Sequence, residues 1–247
     1  MSYSYPASFF IDLARGLLPG QKLVERSGHH LNLTSTLKDV WADDLAFNWQ
    51  TSAQSLEFLS SSANDDDLTG SGGRTLKISG LDTSWAEINE TKSLDGTAVV
   101  ACTNTYRFVD SVEVIGVGSS GVNEGNIDVR VASAGAVLAR VGLGDGIAGL
   151  SQYVVPANKT AYLLGWSIAG LGSTLGTVEA LLRVAEDAAS WKTVRRLHLT
   201  AGAQQARLGA AEGYLLKLPA KARLGVQAAS DVSGAGISTA VSLVVVG

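Results

Sequence analysis

The sequence contains few of the residues that usually indicate covalent cross-links or metal chemistry. Its 247 residues include one cysteine and three histidines. A single cysteine cannot form an internal disulfide bond, so we do not expect covalent cross-links to stabilise the fold. Cys102 lies in an apolar stretch, and we expect it to be a small buried side chain. A zinc site needs three or four converging ligands, and the spacing of the histidines does not supply them.

Charge is also scarce, and no long apolar run is present. Charged residues make up 17% of the chain and hydrophobic ones 46%, a composition that excludes an intrinsically disordered protein. The formal net charge is −4, so electrostatics does not favour nucleic acid as a partner. The N-terminus lacks the basic and apolar regions of a signal peptide, and no apolar run approaches about 20 residues, so we expect neither a leader nor a membrane partner.

The charges are unevenly distributed along the chain. Residues 1–100 contain 13 acidic and 7 basic side chains, whereas residues 101–247 contain 10 acidic and 12 basic ones. Eight of those 12 cations lie between Arg183 and Arg223. One interpretation is a solvated face. The other is charge complementarity between copies of the protein, or with a larger scaffold.

What the sequence does contain, from about Ser55 onward, is a series of short β-prone runs. Glycine, serine, asparagine and aspartate separate about a dozen of them, a pattern typical of sandwiches and barrels. In "IDVRVAS", Ile127, Val129 and Val131 alternate with more polar neighbours, as in a strand with one solvated face. The C-terminal "SLVVVG" is continuously apolar and indicates a strand in the middle of a sheet. We therefore predict an all-β fold, with a jelly-roll-like antiparallel β-sandwich over residues 55–247.

Two proline turns support that architecture. "VPANKT" contains Pro156 and "LPAKAR" contains Pro219, and each lies between two predicted strands. Proline fixes φ and donates no hydrogen bond, so it ends a strand and turns the chain. We interpret both as hairpin corners of a double Greek-key sandwich.

Residues 1–54 have a different pattern and are predicted to form an extended, partly helical N-terminal arm. "SFFIDLARGLLPG" indicates a short helix that begins at Ser8 and is ended by Gly16 and Pro19. In the segment after it, apolar and polar residues show no regular helical or strand period. The segment carries large aromatic side chains, which suggests that it packs against structure already formed. The aromatic residues near the N-terminus are candidate interface residues, or alternatively complete the protomer's own core. They are Tyr3, Tyr5, Phe9 and Phe10.

Two motifs suggest a cofactor site or a metal site, but neither has the full pattern that such a site requires. "GVGSSG" (116–121) has the spacing of a dinucleotide fingerprint, but the strand-like segment that follows cannot be the required helix. The acidic run "SSSANDDDLTGSGG" (60–73) lacks the alternate ligand spacing of an EF-hand, which favours a solvated loop over an interface cation site. No nucleophile, carboxylate pair or ligand cluster stands out. We therefore predict no enzyme activity, no cofactor and no metal.

One segment resembles a known class of protein. Residues 56–129 combine a serine-rich strand with "TGSGGRTLKISGLD" and "ETKSLDGT", and "VVPANKTAYLLGWS" follows them. This pattern resembles virion structural proteins of tailed bacteriophages, of the head decoration or cement type, and it covers residues 56–167. The resemblance implies a β-sandwich or jelly-roll protein on the particle surface that is usually assembled as a homotrimer. It supplies no catalytic residues.

The leading hypothesis is therefore a capsid decoration protein that bridges neighbouring capsid subunits. Its expected partners are the major capsid protein and itself, and its expected location is the capsid surface of the virion. One alternative is a tail, fibre or adhesion component that binds host glycans through Trp166, Trp191 and the loop Gly116–Gly125. In or beside predicted strands, however, tryptophans usually pack in the core. A third possibility is a carbohydrate-active enzyme with a jelly-roll fold.

Overall fold

The computed structural model describes residues 7–42, 46–171, 176–186, 189–200, 205–209 and 216–247. These ranges contain one α-helix and 17 β-strands, and every strand pairing among them is antiparallel. The prediction of an all-β antiparallel fold is confirmed. No helix in the described ranges has the length and hydrophobicity that crossing a bilayer requires.

The helix comes first along the chain, and the strands follow it. They are α1 (Ala7–Ala14), β1 (Gln21–Leu33), β2 (Lys38–Asp39), β3 (Gln54–Ser60), β4 (Gly73–Leu81), β5 (Glu87–Ser93), β6 (Val100–Tyr106), β7 (Phe108–Val117), β8 (Ile127–Val131), β9 (Val137–Val141), β10 (Tyr153–Val154), β11 (Thr160–Leu171), β12 (Val178–Ala185), β13 (Lys192–Leu199), β14 (Gln205–Gly209), β15 (Leu216–Leu218), β16 (Arg223–Ser230) and β17 (Ala235–Val246).

The N-terminal strands and the strands after β10 form a jelly roll. Its front sheet has the order β1-β17-β11-β14, with β15 also pairing with β11. Its back sheet has the order β10-β16-β12-β13, with β2 also pairing with β16. Leaving aside the short strands β10 and β15, the first of eight strands pairs with the eighth, the second with the seventh, the third with the sixth and the fourth with the fifth. This nested pairing, folded into two facing sheets, is the jelly-roll arrangement.

The jelly-roll core lies between the front and back sheets. Alternate residues of β17, such as Ile237, Val241 and Leu243, are buried there. They face alternate residues of β16, such as Leu224 and Val226, which are fully buried. Burial of each large aliphatic side chain stabilises the fold by about 1.5–3 kcal/mol. The apolar C-terminal run thus lies in the middle of a sheet, between β1 and β11, as predicted.

A second sandwich is inserted between β2 and β10. Strands β3 to β9 form a four-stranded sheet, β6-β3-β8-β9, and a three-stranded sheet, β5-β4-β7. These sheets enclose a separate hydrophobic cluster that includes Phe58, Ile78 and Tyr106. Ile127 and Val129 of β8 are completely buried in it, which confirms the predicted alternation. The strands of the predicted unit 55–247 are therefore distributed over two sandwiches, and we call this one the inserted sandwich.

Part of the predicted arm belongs to the front sheet. Strand β1 pairs with β17 from Gln21 opposite Val246 to Leu33 opposite Ala235. The helix α1 precedes it and is followed by Gly16, which has a φ of +69°. The local pattern did not reveal β1 because its polar residues interrupt the alternation and its partner is at the other end of the chain.

The two proline turns are not hairpin corners. One connects β10 of the back sheet to β11 of the front sheet, and the other connects β15 of the front sheet to β16 of the back sheet. Both therefore carry the chain across the sandwich. A proline turn has the same local sequence in either role, so only the strand pairing distinguishes them.

The two proline turns are also hydrogen-bonded to each other. The backbone N–H of Val155 donates to Ala222, and the N–H of Lys221 donates to Val155, both at 2.9 Å. Asn158 and Lys221 each lie two residues after the proline of their turn, and both have a left-handed backbone, with φ of +60° and +65°. Equivalent turns at neighbouring positions thus close one end of the jelly roll.

Candidate functional site

The predicted interface residues lie at the N-terminal limit of the described chain. Tyr3 and Tyr5 lie outside the described residues. Phe9 and Phe10 lie in α1, and Phe9 is half-buried. Their role in an interface stays a prediction.

The acidic loop is organised around Asp65. This side chain is completely buried and accepts four hydrogen bonds. The donors are the hydroxyl of Ser60 at 2.5 Å and the backbone N–H groups of Gly73 at 2.6 Å, Glu124 at 2.8 Å and Gly125 at 2.9 Å. Asp65 therefore joins two loops of the inserted sandwich and has a structural role.

Other carboxylates of this region also accept bonds from the protein. Asp66 accepts the backbone N–H of Thr69 at 2.8 Å, and this bond holds the pKa of Asp66 below its usual value. Glu124 accepts the hydroxyl of Ser71 at 2.6 Å and the amide of Asn64 at 2.7 Å, which lower its pKa in the same way. Hydrogen bonds to the ionised form favour that form. The acidic run is thus a folded, bonded loop.

The glycine motif 116–121 begins with the last two residues of β7 and packs against the same loop. A Cβ atom on Gly118 would lie 2.6 Å from the carbonyl oxygens of Gly70 and Ser71. The next regular element is strand β8, so no helix N-terminus is available in this segment for a pyrophosphate. Gly118 permits this close packing, and Gly121 has a left-handed backbone with φ of +75°.

The outer face of the front sheet is a broad surface of small side chains, which we call the small-residue face. Its members come from β1, β11 and β17 and border two open cavities of about 310 and 460 Å³. They are Ser27, Ser167, Ala169, Ser238, Ala240 and Ser242. Larger side chains border the same cavities. His29 lines the smaller one, and the larger one is also lined by Leu23, Glu25, Leu164, Arg207 and Leu208. Small uncharged side chains allow another flat surface to approach this face closely.

A partly buried ion pair joins the two sandwiches. The Nη2 atom of Arg26 on β1 lies 2.5 Å from Oδ2 of Asp110 on β7, and the two side chains are 14% and 21% exposed. The guanidinium carbon of Arg26 lies 5.3 Å from the ring centre of Tyr153. Burial, followed by the charge of Asp110, raises the pKa of Tyr153 well above its usual value. This cluster fixes the inserted sandwich against the jelly roll.

A second set of contacts lies near the first proline corner. The backbone N–H of Ala157 donates to the carbonyl of Trp85 at 2.9 Å. Lys159 forms an ion pair with Glu87 at 2.5 Å. Because Trp85 and Glu87 belong to the inserted sandwich, that corner joins the two units as well as the two sheets.

The junction also contains a small cavity with aromatic and polar walls, which we call the junction pocket. Its volume is about 110 Å³. It lies on the outer face of the back sheet, where the segment between β2 and β3 crosses it. The residues that line it are Asp39, Trp49, Arg183, Trp191, Gly225 and Gln227.

The tryptophans predicted for glycan binding have different environments. Trp166 is 1% exposed and donates its indole N–H to Thr239 at 2.9 Å inside the jelly roll, so its use is core packing. Trp191 is half-buried and packs against Trp49, with ring centres 4.8 Å apart. The sequence showed Trp49 as an aromatic of the arm, but nothing local indicated that it would meet Trp191.

Cys102 is half-buried on β6, whereas the sequence predicted a buried side chain. Burial, with a further contribution from the charge of Glu90, raises its pKa to about 12. Because the thiolate is the reactive form, we expect the native protein at pH 8 to react with Ellman's reagent about a hundredfold more slowly than the unfolded chain. Equal rates in the presence and absence of denaturant would contradict this.

The sequence matches no protein-family model and no curated protein. Among solved structures, the infectious bursal disease virus VP2 subviral particle aligns over 97% of this chain and 77% of its own, with 13% identity and a TM-score of 0.21. An archaeal virus structure described by its triple jelly roll fold and turret assembly aligns over 93% of this chain and 61% of its own, with 12% identity and a TM-score of 0.22. TM-scores of this size do not establish a common fold, and the jelly roll is assigned here from this chain's own strand order.

Proposed function

We propose that the protein is a structural component of a bacteriophage virion that decorates and cements the capsid. It bridges neighbouring capsid subunits, with the major capsid protein and further copies of itself, as a homotrimer, as partners at the capsid surface. The proposal combines the resemblance of residues 56–167 to virion proteins with the jelly-roll strand order. The observation that carries it is the small-residue face.

The small-residue face suits contact with another β-rich surface. Serine and alanine side chains project little from the sheet, so a partner sheet can pack at about 10 Å, the usual distance between facing sheets. A stable interface buries about 800 Å² on each partner, and a face that spans three strands can contribute much of this area. We therefore propose that the small-residue face is the surface that contacts the capsid.

The charge distribution supports contacts between copies. Residues 50–150, which include the inserted sandwich, carry 13 acidic and 6 basic side chains, a net charge of −7. The remainder of the chain carries 10 acidic and 13 basic side chains, a net charge of +3. Opposite charges orient partners and select correct pairings. In the proposed trimer, the inserted sandwich of one copy lies against the jelly roll of the next.

A charged side chain on the small-residue face tests the capsid contact. Ala240 is exposed on the central strand β17, and we expect Ala240→Arg to weaken capsid binding about tenfold or more, because a long charged side chain keeps the surfaces apart. Co-sedimentation with capsids that lack the protein measures this. Thr193→Arg, at an exposed site on β13 of the back sheet, is the control and should bind normally. Equal binding by both variants would contradict the assignment.

Two further measurements test the proposal as a whole. Native mass spectrometry should give the mass of three chains, and electron microscopy of purified particles should place the protein on the capsid exterior. A monomeric mass together with absence from particles would overturn the proposal.

A further inference from the structure

We propose that the junction pocket binds a neutral saccharide ring. This inference is independent of the capsid contact, because the pocket lies on the back sheet and the small-residue face lies on the front sheet. The argument uses the shape of the pocket, its two indoles and the unused hydrogen-bonding capacity of its polar residues.

On the apolar side of the pocket two indoles pack closely over a glycine. This glycine is Gly225, where a Cβ atom would lie 3.2 Å from Trp49 and 3.7 Å from Trp191. The two indoles are tilted by 53° to each other, and Trp49 is stacked on Phe108 of the inserted sandwich at 5.9 Å. Phe108 thereby fixes the position of Trp49. Aromatic walls with a few polar groups are typical of small-ligand sites.

On the polar side of the pocket, hydrogen bonds link three side chains in series. Arg183 donates to Oε1 of Gln227 at 2.6 Å, and Gln227 donates to Oδ1 of Asp39 at 3.0 Å. The other oxygen of Asp39 accepts the backbone N–H of Phe47 at 3.0 Å. These hydrogen bonds hold a donor, Arg183, and an acceptor, Asp39, along one edge of the pocket.

These polar groups have capacity for further bonds. A guanidinium has five N–H donors, and among the described residues the buried Nε of Arg183 has no hydrogen-bond partner. Each carboxylate oxygen of Asp39 can accept a second bond. Adjacent hydroxyls of a sugar can accept from Arg183 and donate to Asp39. The guanidinium of Arg183 lies over the Trp191 ring at 5.8 Å, so the C–H groups of the sugar contact the parts of the indoles that line the pocket.

The class of ligand follows from charge and shape. The charges of Asp39 and Arg183 offset each other, which favours a neutral ligand over an anion. The 53° tilt between the indoles leaves no parallel slot for a planar base. A cavity of about 110 Å³ is smaller than a whole hexopyranose and can enclose only one edge of it, so we assign a single hexopyranose unit, at the end of a chain or free.

Titration of the full-length protein with methyl glycosides of glucose, galactose, mannose and N-acetylglucosamine tests this. The indole N–H signals of Trp49 and Trp191 in NMR spectra report on the pocket. We expect at least one sugar to shift both signals saturably, with a Kd in the low millimolar range or below, as for a single ring with few contacts.

Two variants and a control make the test specific. Arg183→Met should weaken binding about tenfold, which corresponds to the loss of one charged hydrogen bond, and Trp191→Ala should weaken it by at least as much. Arg196→Met removes an exposed cation from the neighbouring strand β13 and should leave the Kd unchanged. Ala240→Arg should also retain binding, because it affects only the capsid contact.

Two results would overturn the saccharide proposal. One is the absence of saturable shifts with all four sugars up to about 50 mM, a concentration far above the expected Kd. The other is unchanged binding in Arg183→Met, a variant that keeps both indoles and the stem of the arginine side chain. Neither result bears on capsid binding, so failure of the saccharide site and failure of the cementing role are distinguishable.

Discussion

Replacement of Asp65 by alanine is expected to lower the free energy of unfolding of the inserted sandwich by about 4 kcal/mol. The substitution removes the acceptor of four hydrogen bonds, from the Ser60 hydroxyl and three backbone N–H groups. The side chain is completely buried, so water cannot easily replace it. Each unsatisfied buried donor costs about 1–3 kcal/mol.

Urea unfolding measures the effect, and two further variants define it. In Asp65→Asn the new NH₂ group would face hydrogen-bond donors, since each carboxylate oxygen accepts two of the four bonds, and we expect a loss of about 3 kcal/mol. Asp67→Ala changes an acidic side chain of the same loop that is only partly buried, and it should cost no more than about 0.5 kcal/mol. If Asp65→Ala cost as little as Asp67→Ala, the anchoring role would be refuted.

Replacement of Arg26 by methionine is expected to lower the free energy of unfolding by about 3 kcal/mol, because it leaves the Asp110 carboxylate enclosed without its cation. Asp110 is 21% exposed, and its Oδ1 atom is already buried without a hydrogen-bond partner among the described residues. Asp110→Leu should be similarly costly, since it leaves the guanidinium beside Tyr153.

The double variant Arg26→Met/Asp110→Leu separates the ion pair from packing. With both charges removed, no charge remains enclosed, and we expect the stability to return to within about 1 kcal/mol of the wild type. Urea unfolding of the four proteins gives the coupling energy. Strictly additive single effects would mean that the two side chains do not depend on each other in the folded protein.

Much of the β structure could be predicted from the sequence because strands are marked locally. Alternation in β8 and the apolar run of β17 gave the correct environment for each, since successive side chains of a strand point to opposite faces. Strands β1, β2, β5 and β14 were not predicted. Along β5 exposed and half-buried residues alternate with no fully buried position, as expected for a polar edge strand, so the hydrophobic pattern was absent.

The candidate sites were much less predictable. The acidic loop stood out in the sequence as a cluster of carboxylates, but the partners of Asp65 include Glu124 and Gly125, which lie in a distant loop. Trp191 was a candidate for glycan contact, but its polar companions Asp39 and Gln227 come from different strands of the back sheet. A site built across several strands has no contiguous motif.

By itself, the sequence determined that this chain is a folded, antiparallel β protein with proline corners, because alternation and turn chemistry depend on neighbouring residues. Only the tertiary structure decided that β1 pairs with β17, that seven strands leave the jelly roll to form an inserted sandwich, and that Arg26 meets Asp110. These contacts join residues that are far apart in the sequence. They form because the folded chain buries those surfaces against each other, and no local sequence pattern records which surfaces will meet.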